Sequence, residues 1–251
     1  MRRILFSLGL FCIWSATLYA EPLTVSITGT VERFAAPNSQ GDLHGFNVDI
    51  VNEICRRLQR ECLLQVRRFP AVLPEIESGG ADIGVANHLK TPERAARVAF
   101  SIPYWRSTSS FVAPLSLSPN DMDLTLANQP ICVIKGTRQQ AYLQQVHHVD
   151  SQRLITTTST KELEEKVVNG ACRIALLPTL QILTFLQSEP GSRFTFYGPS
   201  IDSNGLGGNV HIIVRPDRPQ LLKQVNEALS QMIADGTHER ITQRYFPFSI
   251  R

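Results

Sequence analysis

Ala81-Asp82-Ile83-Gly84-Val85-Ala86 is a short run of small and β-branched residues entered directly from Gly79-Gly80. A run this short and this apolar reads as a strand buried on both faces. In front of it, residues 70–78 form a short helix that the two glycines end, and residues 63–66 read as another strand. Further upstream, Asn47 is expected to cap a helix whose Val51, Ile54, Cys55 and Leu58 recur at helical spacing. Before that helix, Leu23-Thr24-Val25-Ser26-Ile27 alternates as a strand does. Strands that alternate with helices make βαβ units, so a parallel sheet is expected.

Downstream the series restarts. Ser110-Phe111-Val112-Ala113 is extended, and a polar, proline-containing stretch follows at 114–120. Residues 131–134, a helix from Arg138, residues 154–158, a helix over 161–169 and residues 172–177 then repeat the β-α-β-α-β order. Residues 194–197 add a strand. Val210-His211-Ile212-Ile213-Val214 leads into a helix over 219–234 with Leu222, Val225, Leu229 and Met232 on one face. Gly236 ends it, and a last short helix runs to Tyr245. The reading is two α/β lobes with no flexible linker in the composition, hence a cleft between them in which a small ligand binds.

The 251 residues are 43% hydrophobic and 19% charged, with a formal net charge of +3. That apolar content excludes a disordered chain, and the 15 Gly and 15 Pro show no collagen period. A nucleic-acid binder would carry a denser basic excess. Met1-Arg2-Arg3, an apolar segment over 4–14 and Ser15-Ala16-Thr17-Leu18-Tyr19-Ala20 before Glu21-Pro22 have the layout of a secretory signal peptide over residues 1–20. Its apolar part is too short to span a bilayer, and Cys12 after Phe11 is wrong for a lipoprotein cut. Removing 1–20 takes away two arginines and no acid and leaves a net charge of +1. It also leaves Cys55, Cys62, Cys132 and Cys172. In an exported chain an even count reads as two disulfides; of the three pairings, the local ones, Cys55 with Cys62 and Cys132 with Cys172, are preferred. No Cys-x-x-Cys occurs and the six histidines are scattered, so no metal is expected.

Several segments carry a family resemblance. Gly45-Phe46-Asn47-Val48-Asp49-Ile50 resembles the opening of the first helix in the polar-amino-acid branch of bacterial periplasmic solute-binding proteins, the branch with the lysine/arginine/ornithine-binding members. Thr91-Pro92-Glu93-Arg94 followed by Phe100-Ser101-Ile102-Pro103-Tyr104 resembles that family's "T-x-x-R … F-S-x-P-Y" block. Gly136-Thr137-Arg138-Gln139-Gln140 is similar to its second-lobe turn, and Ala234-Asp235-Gly236-Thr237 with Tyr245-Phe246 to its ending. The spacing of Cys55 and Cys62 matches a disulfide of those members.

The resemblance implies a two-lobed type II periplasmic-binding-protein fold, each lobe a central sheet flanked by helices. Lobe 1 is expected over 21–111 and 206–251, lobe 2 over 112–205, with crossovers near 110–113 and 200–208. It also implies a monomer in the periplasm, without cofactor, that closes on a small molecule and docks on an inner-membrane ABC permease.

Arg94 is the leading site residue. Thr91 is a good N-cap and Pro92 a good first helical residue, so Arg94 falls in the opening turn. A guanidinium there forks onto a carboxylate, the role of the matching arginine in the family. Asn87 and His88 follow the strand at 81–86, at the carboxyl end where α/β ligands sit; His88 reads equally as packing. Phe69 matches an aromatic that stacks on the ligand, a core role being the other reading. Thr137, Arg138 and Gln139 open a helix of lobe 2, with Arg138 either in the cleft or in water. Glu32 and Phe34 lie on the first-lobe loop that usually faces the ligand.

Two departures from the family pattern bear on the ligand. The second-lobe position at which a carboxylate normally pairs an α-ammonium holds Pro178, and the loop at 27–34 has Glu32 as its only acid. Burying an ammonium without a charge partner is costly, so a carboxylate or other anion is favoured over an α-amino acid. No Gly-x-Ser-x-Gly elbow or Walker loop is present, and a binding protein is expected. Two alternatives stay open from sequence: a soluble subunit that presents its closed form to a membrane sensor, and a cyclohexadienyl-dehydratase-like enzyme.

Overall fold

The computed structural model describes residues 21–117 and 128–251. The expected signal peptide at 1–20 and the end of the 114–120 stretch lie outside the described residues.

Two five-stranded sheets form the frame. The first has the order β4-β1-β5-β12-β6, from Leu23–Thr28 (β1), Cys62–Arg67 (β4), Ile83–Leu89 (β5), Ala99–Ser107 (β6) and Gly208–Val214 (β12). Ala36–Pro37 (β2) and Leu43–His44 (β3) make a small ribbon on the loop after β1. The second sheet has the order β11-β7-β10-β8-β9, from Ser109–Pro114 (β7), Ile131–Ile134 (β8), Leu154–Thr157 (β9), Ile174–Pro178 (β10) and Phe194–Ile201 (β11).

Both sheets are mixed rather than parallel throughout. β1 runs parallel to β4 and β5, and β8 to β9 and β10, as the alternation predicts. The strands that join the sheets are the exception: β12 is antiparallel to β5 and β6, and β7 is antiparallel to β10 and β11. These strands enter each sheet from the other lobe instead of through a βαβ crossover, so no right-handed connection fixes their direction. The chain leaves the first sheet at Ser107 and enters the second at Ser109, three residues ahead of the boundary expected at 112, and it returns between Ile201 and Gly208.

Helices cover both faces of each sheet. Phe46–Arg57 (α1), Pro219–Ala234 (α7) and Thr237–Tyr245 (α8) seal one face of the first sheet, with Ile50, Ile54, Val225 and Leu229 buried against Val25 and Ile27. Phe69–Glu77 (α2) places Val72 and Ile76 on the other face, near the short helix Pro92–Ala95 (α3). In the second lobe, Arg138–Gln145 (α4) covers one face through Leu143 and Thr160–Val168 (α5) the other through Leu163 and Val167. Leu183–Leu186 (α6) follows β10. Among the described residues no helix is long and apolar enough to cross a membrane. Both disulfides are local, Cys55–Cys62 and Cys132–Cys172, with Cα–Cα distances of 5.9 and 5.6 Å.

Asn47 does not cap α1. Gly45 holds the N-cap with φ 134°, and the loop backbone supplies the acceptors: Phe46 N–H donates to Arg33 O at 2.9 Å and Asn47 N–H to Phe34 O at 2.8 Å. A β-carbon on Gly45 would stand 2.5 Å from the Phe34 carbonyl oxygen, so only glycine allows that approach. Asn47 is instead fully buried, with its amide directed at the end of β5.

Candidate ligand-binding cleft

The carboxyl ends of β1 and β5 face the start of α4 and the end of β10 across a cleft between the lobes. Parallel strands present their following loops on one edge, which is where such folds gather functional side chains.

Arg94 lies at the centre of this wall. The Thr91 hydroxyl accepts from Arg94 N–H at 3.3 Å, so the expected N-cap holds the opening turn of α3. The guanidinium donates from Nη1 to Leu89 O and from Nη2 to Gly136 O, both at 2.9 Å. Gly136 belongs to the second lobe and Leu89 to the first, so one of these bonds ties the lobes together; two of the five N–H donors are used and three remain for another acceptor. Burial, with the Arg138 cation as a second cause, lowers its pKa to about 10, and it stays charged at neutral pH.

Phe69 opens α2 and supports this guanidinium, its ring centroid 5.9 Å from Arg94 Cζ. The ring also packs on apolar clusters of both lobes. Behind it His88 stacks with ring centroids 5.0 Å apart and an interplanar angle of 23°. His88 is 1% exposed, and its Nδ1 has no partner among the described residues. Burial, helped by the Arg94 charge, pushes its pKa well below the usual imidazole range, so the ring is neutral. It backs the site without lining it.

Asn87, one residue earlier on β5, does line the cleft. Its φ of 57° is left-handed, a conformation asparagine tolerates better than most residues. Asn47 Nδ2 donates to Asn87 Oδ1 at 3.0 Å, and the Tyr104 hydroxyl donates to Asn47 Oδ1 at 2.9 Å. This chain fixes the Asn87 carboxamide and leaves its Nδ2 uncommitted.

The second-lobe wall comes from Thr137, Arg138 and Gln139. Thr137 caps α4: its hydroxyl accepts from Gln140 N–H at 3.2 Å and donates to Ile134 O at 2.6 Å. Gln139 is buried and donates from Nε2 to Ser109 Oγ at 2.8 Å; that hydroxyl in turn donates to Leu206 O at 2.6 Å. The pair couples the cleft to both crossover segments. Arg138 lines the cleft and also a neighbouring recess that holds Glu93 and Gly205, and its Nε is buried without a partner among the described residues. Pro178 ends β10 and lines the cleft, so the position at which the family resemblance implies a carboxylate holds a ring without charge or N–H.

Two expected residues fall elsewhere. Phe34 is 1% exposed in the first-lobe core, where its ring meets Phe46, Trp105 and Phe246; the backbone turn that feeds α1 points it inward. Glu32 is exposed and lines a second recess with Lys161, Glu164 and Glu165 of α5. There burial, then the charges of Glu32 and Glu165, raises Glu164 to about 7 against the opposing pull of Lys161.

Thr28, Thr30, Ser159 and Gln181 also line the cleft, and sequence reading missed them. Ser159 was open to detection, because its hydroxyl accepts from Glu162 N–H as the N-cap of α5. No carboxylate lines the cleft among the described residues, whereas two guanidiniums do. Nor do the described residues hold a group of three His, Cys, Asp or Glu side chains placed for a metal ion.

A family model described as bacterial extracellular solute-binding proteins, family 3, matches residues 23–248. ABC transporter arginine-binding protein 1 of Escherichia coli (strain K12) is 26% identical over 231 residues, covering 91% of this chain and 92% of its own. The lysine/arginine/ornithine-binding periplasmic protein of the same organism is 25% identical over 258 residues, covering 100% of this chain and 99% of its own. Among solved structures, an ancestral arginine-binding protein bound to arginine shares the fold with a TM-score of 0.82 at 22% identity, over 91% of this chain and 99% of its own.

Proposed function

The chain belongs to the bacterial extracellular solute-binding proteins, family 3, and from that premise we propose that it is the periplasmic capture subunit of an ABC importer, closing its lobes on a small polar solute that bears a carboxylate. Arg94 is the anchor. Its remaining N–H donors take the carboxylate as a fork, and the Phe69 ring holds the guanidinium plane in place. Asn87 Nδ2 and the amide of Gln139 supply neutral contacts from the two sides. A ligand that touches both lobes binds the closed form best and so shifts the population towards it.

One observation carries this reading: a mostly buried arginine with uncommitted donors stands in a cleft whose described lining contains no acid. A carboxylate gains charge-assisted hydrogen bonds there. An α-ammonium would be desolvated beside two cations with no counter-charge, at a cost of several kcal/mol. The relatives' names specify basic amino acids, and this chain differs from that chemistry at Pro178.

A thermal-shift screen of the purified protein tests the reading. Organic acids are expected to raise the melting temperature, by roughly 5–10 °C at a hundred times Kd, while the common amino acids leave it unchanged. Stabilisation by amino acids and not by organic acids would overturn the anion preference.

A further inference from the structure

Arg138 has three features that the anchoring of one carboxylate by Arg94 does not use. Its Nε is buried and has no acceptor among the described residues, an unmet charged donor of the kind that native structures rarely leave. Its guanidinium lies directly on Gly205, whose φ is +74°; a β-carbon there would stand 2.5 Å from Nη2 and 2.9 Å from Nε. The crossover segment thus leaves room for this guanidinium at a position only glycine fills without strain. Third, Arg138 forms no ion pair among the described residues, whereas Arg56, Arg67 and Arg97 each have one and Arg57 has two. Glu93 is an acid that feels its charge; it is exposed and lines a neighbouring recess together with Arg138.

We propose that Arg138 is a second anion anchor and that the ligand is a dianion, one negative group on Arg94 and the other on Arg138. The inference rests on the carboxylate reading above and names the charge of the ligand. Arg94 comes from the first lobe and Arg138 from the second, so lobe closure brings two cations to one cleft. Like charges oppose that approach; the exposed Glu93, outside the cleft lining, offsets them in part, and no carboxylate among the described lining residues does so from within. A monoanion neutralises one of the two, and a zwitterion adds a third positive group. A dianion neutralises both, so the ligand itself removes the barrier to closure. The Arg94–Gly136 bond sits two residues from Arg138, which places both anchors at the same contact between lobes.

Calorimetric titration of the purified protein with malonate, succinate, glutarate and adipate, and with the half-amide of each, tests the proposal; lysine and arginine serve as the comparison. At least one diacid is expected to bind about tenfold or more tightly than its half-amide. Arg138→Gln should erase that ratio by weakening the diacid, while the half-amide binds as well or more tightly because one of the two opposing cations is gone, and Arg138→Lys, which retains charge without the fork, should restore part of the ratio. Equal binding of diacids and half-amides by the unaltered protein overturns the dianion proposal alone and leaves the carboxylate reading standing. A loss in Arg138→Gln that is the same for both ligand sets also overturns it, as the mark of a purely structural role. If no organic acid binds and lysine or arginine does, the carboxylate reading falls, and the dianion proposal with it. Should Arg138→Gln fail to fold, the diacid to half-amide ratio of the unaltered protein decides.

Discussion

At position 178 one side chain separates two ligand chemistries. Pro178 brings no charge to a cavity that already holds Arg94 and Arg138, and its own φ of −59° is one that aspartate adopts without strain. Pro178→Asp is therefore expected to supply the missing partner for an α-ammonium. Lysine or arginine should then raise the melting temperature by about 2–4 °C for each kcal/mol gained, and organic acids should lose affinity in the same variant. Amino-acid binding that stays absent, with organic acids unaffected, would remove Pro178 from the account. Arg94 and Pro178 were both readable in the sequence, the first through Thr91-Pro92-Glu93-Arg94 and the second through what it replaces. Phe34 and His88 were not, because neighbouring residues on a loop or strand face opposite ways and nothing local says which way. The Asn47–Asn87 bond was beyond reach too, since it joins residues 40 apart whose proximity depends on how α1 lies against β5.

Among the elements, α5 carries a consequence for stability. Its Glu164 faces Glu32 of the other lobe, with Glu165 and Lys161 beside it, and its pKa is raised from 4.5 to about 7. Between those values the folded protein keeps a proton that the unfolded chain releases. Rising pH through the window therefore costs stability, and falling pH restores it. Denaturant unfolding at pH 5 and pH 8 should show this loss, and Glu164→Gln should shrink it by about 1–3 kcal/mol. An unchanged difference would mean that Glu164 titrates as an ordinary surface acid. Most elements were legible from period and punctuation: α7 begins at Pro219, and Gly236 in the left-handed region ends it as expected. β6 was not recognised as a strand, since Phe100-Ser101-Ile102-Pro103-Tyr104 reads first as a motif and contains a proline. The structure shows why the proline is tolerated: β6 is the edge of its sheet. The antiparallel direction of β7 and β12 follows from connectivity between lobes, a property that no single segment encodes.

For the whole molecule, the lobes meet through few polar contacts. Arg94 reaches Gly136 O, Arg68 Nη1 donates to Thr158 Oγ1 at 2.8 Å, and Arg33 donates to Thr184 Oγ1 at 3.2 Å and Gln187 Oε1 at 2.8 Å. The crossover strands are pinned by hydroxyls, with Thr179 bonded to Thr108 and Ser110 at 2.9 and 2.8 Å. An interface of this kind makes relative lobe motion the default expectation, and under the proposed function the ligand shifts which state is populated. On the proposed reading, Arg94 grips the ligand's negative charge inside that interface. Calorimetry on Arg94→Ala, with an organic acid that binds the unaltered protein, tests it most directly; Arg68→Ala, which removes a bridge outside the cleft, is the control. The account predicts a loss of about 100-fold or more for Arg94→Ala and about threefold or less for Arg68→Ala. Equal affinities for Arg94→Ala and the unaltered protein would contradict it.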